Sequence, residues 1–283
     1  MKKILLLLWL LVSCVSAQTL EIVVPVPPGG PVDAAARTLQ QELYNREKIA
    51  SVVIYKPGAD GQIASKYFLS NQSNKILMIS TVTSIALKIT NKTLSYDPIN
   101  DFKIIGPIST APVVLAVRKD NDMNTITDFI ITSKTNRLNC GAAGTFVSLY
   151  VNYLVKNNNL DNVVVVPYKS TPQPAIDLLS GNLDCFCTVL PTVMENPNMK
   201  ILRGESKIKF NTFTAIAIGN ITNEELIKNV LVDMNSDKEF VAMMRKRGYD
   251  VPKIDFDYNK TLEREYQFLD HYNVTHNIIE VIR

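Results

Sequence analysis

The sequence predicts an α/β protein built as two doubly wound lobes with a cleft between them. Three observations carry that prediction. Short apolar runs of strand length alternate with segments whose apolar residues recur at helical spacing. The first three runs are separated by helical segments, an order that gives parallel strands joined by right-handed crossovers. The alternation then breaks at a polar stretch, residues 118–124, and resumes beyond it.

The first 17 residues stand outside the fold. Lys2 and Lys3 precede an unbroken apolar run over 4–12, shorter than the roughly 20 residues a membrane helix needs. Val15, Ser16 and Ala17 then offer a small-residue cleavage site before Gln18. This is the pattern of a secretory signal peptide. Leu11-Val12-Ser13-Cys14 also fits a lipobox, in which Cys14 would carry a lipid anchor. A soluble product starting near Gln18 is the favoured reading, because so short a tether would join Cys14 to the first strand. No later stretch is apolar and long enough to cross a membrane.

Removing that leader from the 283 residues leaves 266, a length that suits two ordinary domains. A hydrophobic share of 46% supplies a core. The formal charge of +3 falls to +1 without Lys2 and Lys3, and no run of five Lys or Arg occurs. A nucleic-acid partner therefore has no electrostatic footprint.

Residues 20–25 read as the first strand. Residues 33–44 form the first helix, with Ala35, Leu39 and Leu43 on one face. A strand at 51–55, a helix at 62–69 and a strand at 76–80 follow. Two further apolar runs, 104–109 and 113–117, lead to the polar stretch, where the chain is expected to cross into the second lobe. Beyond it come a helix at 126–133, a strand at 138–140, a helix at 145–156, a strand at 163–166, a helix at 173–179 and a strand at 183–187. Thr125 with Asp128 reads as a helix start, and Gly181 as a helix stop. Thr222 with Glu225, and Ser236 with Glu239, read as capping boxes opening two more helices. A last helix is expected over 258–272, with the tail returning to the first lobe. The expected lobes are thus 18–117 plus 222–283, and 118–221, with hinges near Arg118 and around 218–222.

In open α/β sheets, ligands bind beyond the carboxyl ends of the strands. The loop after the first strand holds Pro28, Gly29, Gly30, Pro31, Val32 and Asp33. Its glycines let the backbone approach a ligand, and the following helix start offers amides to an anion. Read structurally, it is a tight turn with Asp33 as the helix cap. Gly58, Ala59 and Gly61 form an equivalent loop after the second strand. Thr81 and Ser84, just past the third strand, join the candidate set. In the second lobe, Gly141, Ala142, Ala143, Gly144 and Thr145 open another helix. Tyr168 and Lys169 face either the cleft or the surface.

Several chemistries are excluded. No Gly-Lys-Ser/Thr follows the glycine loops, and their spacing fails the Gly-x-Gly-x-x-Gly dinucleotide pattern. No Gly-x-Ser-x-Gly elbow occurs, and His271 and His276 stand off one helical face and far from the expected cleft. No enzyme, metal or cofactor is expected. Cys140, Cys185 and Cys187 remain after the leader, either as buried apolar residues or with one disulfide from Cys140 to Cys185 or Cys187.

These residues resemble the substrate-binding proteins of tripartite tricarboxylate transporters, the Bug receptors. Their N-terminal signature stands here as Val24-Pro25, Pro28-Gly29-Gly30-Pro31-Val32-Asp33 and Arg37. Their Pro-Gly-Ala-x-Gly loop stands as Pro57-Gly58-Ala59-Asp60-Gly61. Tyr96-Asp97-Pro98 with Asp101-Phe102 matches a third motif. Val166 to Lys169, followed by Asp177 to Asp184, matches a fourth, so order and spacing agree over 22–184. The resemblance implies a periplasmic-binding-protein-like (type II) receptor that grips a small carboxylate through main-chain amides and ordered waters. It implies a periplasmic monomer that serves membrane transporter subunits; a receptor reporting to a membrane sensor is the alternative. The chain departs from the family at Val32, where a hydroxyl residue is usual, and in the third loop, Gly141-Ala142-Ala143-Gly144 against Gly-Ser-x-Gly, where another hydroxyl is lost. Phe146 is expected to add bulk to the third loop, leaving a less polar ligand end or a receptor that has lost its ligand.

Overall fold

The computed structural model describes residues 19–91, 93–204, 211–221 and 224–252, with 260, 263–264 and 266–267. The leader with Cys14, the Thr222 cap, both histidines and most of the expected last helix lie outside the described residues.

The first half of the chain builds β1 (Leu20–Val24), α1 (Pro31–Glu47), β2 (Ser51–Tyr55), α2 (Gln62–Ser70), β3 (Lys75–Ser80) and α3 (Thr81–Thr90). β1 lies between β2 and β3 and is parallel to both. Alternation along β1 decides which helix covers which face. Ile22 and Val24 share a buried cluster with Ala35, Leu39 and Leu43 of α1, whereas Val23 faces Ala64 and Phe68 of α2. The sheet is thus wound on both sides.

The chain continues through β4 (Lys103–Arg118), α4 (Ile126–Thr135), β5 (Leu138–Ala143), α5 (Thr145–Asn157), β6 (Val163–Tyr168), α6 (Pro172–Leu179), β7 (Cys185–Val189), α7 (Leu190–Met194), β8 (Met199–Ile201), β9 (Asn211–Ile218), α8 (Glu224–Ser236) and α9 (Lys238–Lys246). The strands join in the order β2-β1-β3-β9-β4-β7-β5-β6, with β8 on β4. The second half repeats the first: β5 lies between β6 and β7, parallel to both. Phe146, Leu149 and Val151 of α5 cover one face and Leu178 of α6 the other.

β4 corrects the expectation of two strands at 104–109 and 113–117. It is one strand of 16 residues whose partner changes midway. Residues up to Pro112 pair with β9, and from Val113 onward the partner is β7. Proline lacks the N–H a ladder needs. Pro112 sits where the partners exchange and Pro107 beside a register shift, so neither breaks the strand. β9 pairs with β3 as well as with β4. The exchange therefore falls ahead of Arg118, and the returning chain rejoins the first half-sheet ahead of Thr222.

Three caps are informative. Thr125 and Asp128 form the expected capping box on α4. At α9 the cap is Asp237 and not Ser236, because its carboxylate accepts from the amides of Glu239 and Phe240. α1 starts earlier than expected: Pro31 takes the first helical position, where its missing N–H is no loss, and Gly30 is the N-cap. The tail returns to the first half-sheet. Ile227, Val230 and Leu231 of α8 and Phe240 and Met244 of α9 share the cluster of Leu39 and Leu43. Arg46 on α1 also donates to Asp237 at 2.8 Å.

Candidate functional site

Parallel neighbours end on the same side of a sheet, so β2, β1 and β3 deliver the starts of α2, α1 and α3 to one edge. β6, β5 and β7 do the same for α6 and α5 in the second half. α1 and α2 lie on opposite faces, which places a topological switch point between β1 and β3, the position at which open α/β sheets bind ligands. Pro28 to Asp33 flank it on one side, and Thr81 and Ser84 on the other. A second switch point lies between β5 and β7, where Gly144 caps α5.

The first loop is held by Asp33. The residue is 5% exposed, and its carboxylate accepts from the Gly29 amide at 2.8 Å, the Tyr55 hydroxyl at 2.7 Å and Arg37 Nε at 3.0 Å. Arg37 also donates to Tyr55 at 2.6 Å. Burial by itself would raise the carboxyl's pKa; the bonds from Tyr55 and Gly29 and the Arg37 charge outweigh it and hold the group below the ordinary value. Asp33 is therefore a buckle and not a helix cap. It also occupies the Gly29 amide, which the sequence offered to a ligand. The amides of Val32 and Asp33, in the first turn of α1, have no intrahelical acceptor and remain available to an anion. Pro31 contributes no donor, and the Val32 side chain packs against the core cluster of α1.

The second loop is strained. Gly58, Ala59, Asp60 and Gly61 all have positive φ, at 123°, 47°, 51° and 87°. For a non-glycine residue this conformation costs about 1–2 kcal/mol, and such strain gathers at functional sites. The φ of 123° at Gly58 is one that residues with a side chain rarely adopt, so that position favours glycine. A Cβ on Gly61 would lie 3.3 Å from Pro25 Cβ, so the two loops touch.

α3 carries these loops toward the second half. Its Ile85, Ala86 and Ile89 share a buried cluster with Leu149 and Tyr150 of α5. Phe146 belongs to that cluster at 2% exposure, which corrects the expectation that it adds bulk to the third loop. Ala142 is also buried in it. Ser84 Oγ turns back to the Ser80 carbonyl at 3.3 Å. Thr145 begins α5 as expected, and Ala143 ends β5.

Tyr168 settles to one side. Its hydroxyl donates to Asp177 on α6 at 2.7 Å, and its ring packs with the cluster beneath α6. Burial, then the Asp177 carboxylate, pushes the phenol up to about 12. The backbone carbonyl of Tyr168 accepts from the Gly144 amide at 3.2 Å, so its main chain, not its hydroxyl, supports the third loop.

The side chains of two of the four motifs make contacts within the frame. Tyr96 and Phe102 meet edge to face at 5.7 Å within the cluster of α2. Between them Asp97 accepts from Lys88 of α3 at 2.8 Å and from the Ile99 amide at 2.9 Å. Burial opposes ionisation of Asp97, but Lys88 and these bonds bring its pKa down to about 2. In the last motif Asp177 anchors Tyr168, Gly181 takes φ 83° past the end of α6, and Asp184 accepts from the Asn139 amide at 2.7 Å. The sequence did not single out Tyr55; its only signal was its place as the last residue of the second strand, directly before a glycine loop.

A surface hollow of about 750 Å³ lies elsewhere, beside α7 and β8, and shares no residue with these loops. Among the described residues no group of three or more His, Cys, Asp or Glu is placed to hold a metal, and no helix is long and apolar enough to cross a membrane.

This doubly wound mixed sheet with paired switch points is the fold of periplasmic solute-binding proteins. The R. palustris protein Rpa4515, solved with adipate, aligns with a TM-score of 0.80 at 18% identity, over 91% of this chain and 96% of that one. MatC of Rhodopseudomonas palustris, solved with bound malate, aligns with a TM-score of 0.76 at 17% identity, over 89% and 98%. The family model "Tripartite tricarboxylate transporter family receptor" matches residues 35–236, and the chain belongs to that family. A UPF0065 protein of Agrobacterium vitis, from the TAR-I ttuE-ttuC' intergenic region, is 28% identical over 170 residues, 59% of this chain and 49% of that protein. The chain thus spans about half the length of the relative it matches.

Proposed function

We propose that this protein is an extracytoplasmic solute receptor that captures a small carboxylate between its lobes and delivers it to a tripartite tricarboxylate-type transporter. The observation that carries the proposal is the meeting of the first two loops at the β1/β3 switch point. There the unspent amides of Val32 and Asp33 lie beside a strained, glycine-dependent turn. A carboxylate offers what this site lacks: an acceptor for main-chain donors at the positive end of a helix. The malate and adipate held by two proteins of the same fold are consistent with that chemistry. Gly144 and the start of α5 supply the opposing wall from the second switch point.

In this proposal the lobes are the two half-sheets, and closure is a hinge motion at the partner exchange in β4 and where β9 rejoins the first half. Export to the periplasm is expected from the leader, cleaved before Gln18. The chain acts as a monomer, with no catalysis and no cofactor. The Asp33 side chain does not touch the ligand; with Tyr55 and Arg37 it fixes the loop whose amides do.

Thermal-shift screening of the chain from Gln18 onward, against mono-, di- and tricarboxylates including aromatic ones, tests this. A ligand that binds only the folded state adds about 2.7 kcal/mol at 100 times its Kd. A raised midpoint with one carboxylate class is expected. A flat response across the panel contradicts the proposal.

A further inference from the structure

Cys140, Cys185 and Cys187 lie on one face of the second half-sheet, fully buried in the cluster beneath α5. β5 and β7 are parallel neighbours, with Cys140 opposite Cys185 and Ala142 opposite Cys187. Side chains alternate along a strand, so all three thiols project to the same side. Two observations separate them. Cys187 donates to the Val147 carbonyl of α5 at 3.4 Å, and its partner across the ladder is an alanine. Cys140 and Cys185 instead stand directly opposite each other across the ladder. Neighbouring strands run about 4.8 Å apart, which falls inside the roughly 4.4–6.8 Å Cα separation of disulfides.

We propose that Cys140 and Cys185 are a disulfide site that closes when the chain folds in an oxidising medium, and that Cys187 stays a thiol. The bond would join β5 directly to β7, closing covalently the segment that contains α5, β6 and α6. It would fix β5 to β7 at the first residue of β7, the end of that strand away from the second switch point. Glutathione disulfide suffices as oxidant. One cysteine thiolate attacks it, expelling a glutathione thiolate and leaving a mixed disulfide. The second cysteine thiolate displaces the remaining glutathione, forming the protein S–S bond. The two cysteine protons end on the two glutathione thiols. Burial pushes the Cys185 and Cys187 thiols up, so the folded protein holds little of the reactive thiolate. The bond therefore forms during folding, before α5 covers the sheet. Its occurrence in the cell rests on the proposed export to an oxidising compartment; its formation in a defined buffer does not.

The test uses the chain from Gln18 onward, made reduced, unfolded, and refolded with glutathione disulfide and glutathione. It is then denatured and alkylated with N-ethylmaleimide, with Cys187→Ala in parallel. One alkylated cysteine per chain is expected in the wild type and none in the variant. The unreduced digest should carry the Cys140–Cys185 linkage, and reduction should lower the thermal midpoint by several degrees, on the order expected for opening a loop of this length. Three alkylated cysteines, or a linkage to Cys187, overturn the proposal. The same count on protein expressed with its own leader separates the two readings. Three thiols there, with one after refolding, uphold the pair and count against the export.

Discussion

Replacing Asp33 with alanine removes the buckle of the first loop. The carboxylate is buried and accepts three bonds, from Gly29, Tyr55 and Arg37. Arg37 is 57% exposed, so its ion pair is screened and contributes little. The Gly29 amide and the Tyr55 hydroxyl, in contrast, lose a charged acceptor, and a hydrogen bond to a charged group contributes about 1.5–3 kcal/mol. The net loss expected is about 3 kcal/mol. For a chain of this size that lowers the melting midpoint by roughly 6–12 °C. The sign of the pH dependence follows from the depressed pKa of Asp33. Its contribution is complete above the ordinary carboxyl pKa and is lost as pH falls through the lower folded value. The gap between wild type and Asp33→Ala, read by circular dichroism melting, should therefore be full at pH 7 and narrow below about pH 4. A gap under about 2 °C at pH 7, or one that widens in acid, would refute the buckle.

Three further outcomes are expected. Gly141→Ala places a Cβ 2.5 Å from Leu183 Cδ1 and 3.2 Å from Pro174 Cβ, and overpacking of this kind costs about 1–3 kcal/mol in urea unfolding. Asp97, with its pKa near 2, contributes stability that is complete above the ordinary carboxyl value and lost as pH falls toward 2; Lys88→Met should move that acid limb upward, measured as the pH of half-unfolding. Tyr168→Phe removes the bond to Asp177 and should cost about 1 kcal/mol while leaving carboxylate affinity unchanged, because the hydroxyl is spent on Asp177.

Much of the first half was legible because its periodicities are clean. The run over 20–25 ends at a proline, and Ala35, Leu39 and Leu43 mark one helix face, so β1 and α1 were placed closely. The misses have physical causes. α3 is rich in β-branched residues (Thr81, Val82, Thr83, Ile85, Ile89 and Thr90), and its helix is stabilised by packing against α5, not by propensity. Pro112 read as a strand end because a sequence does not show that β4 changes partner there. β9 has a strand-like run, Thr214 to Ile218, but its place between β3 and β4 depends on contacts far apart in sequence.

At the site, the glycine loops were readable as loops because positive φ needs glycine. Their donors were not fully readable. Asp33 looked like a cap because its bond to Gly29 N and its link to Tyr55 depend on β2 lying beside β1. Phe146 looked like part of a binding loop, yet the first turn of α5 directs it into the core. Motif order alone also did not separate Asp97 and Asp177, which fasten the frame, from Gly58 to Gly61, which shape the proposed site.

Gly30 gives the most direct test of the central claim. Its φ is −98°, which any residue adopts, and a Cβ there meets no atom within 4 Å. Gly30→Val should therefore leave the fold intact while placing a branched side chain over the amides of Val32 and Asp33. Calorimetric titration of both proteins with the carboxylate that stabilises the wild type is the measurement. An unchanged unliganded melting midpoint is expected, with at least a tenfold loss of affinity, about 1.4 kcal/mol. An unchanged affinity would show that the carboxylate does not bind at the first switch point.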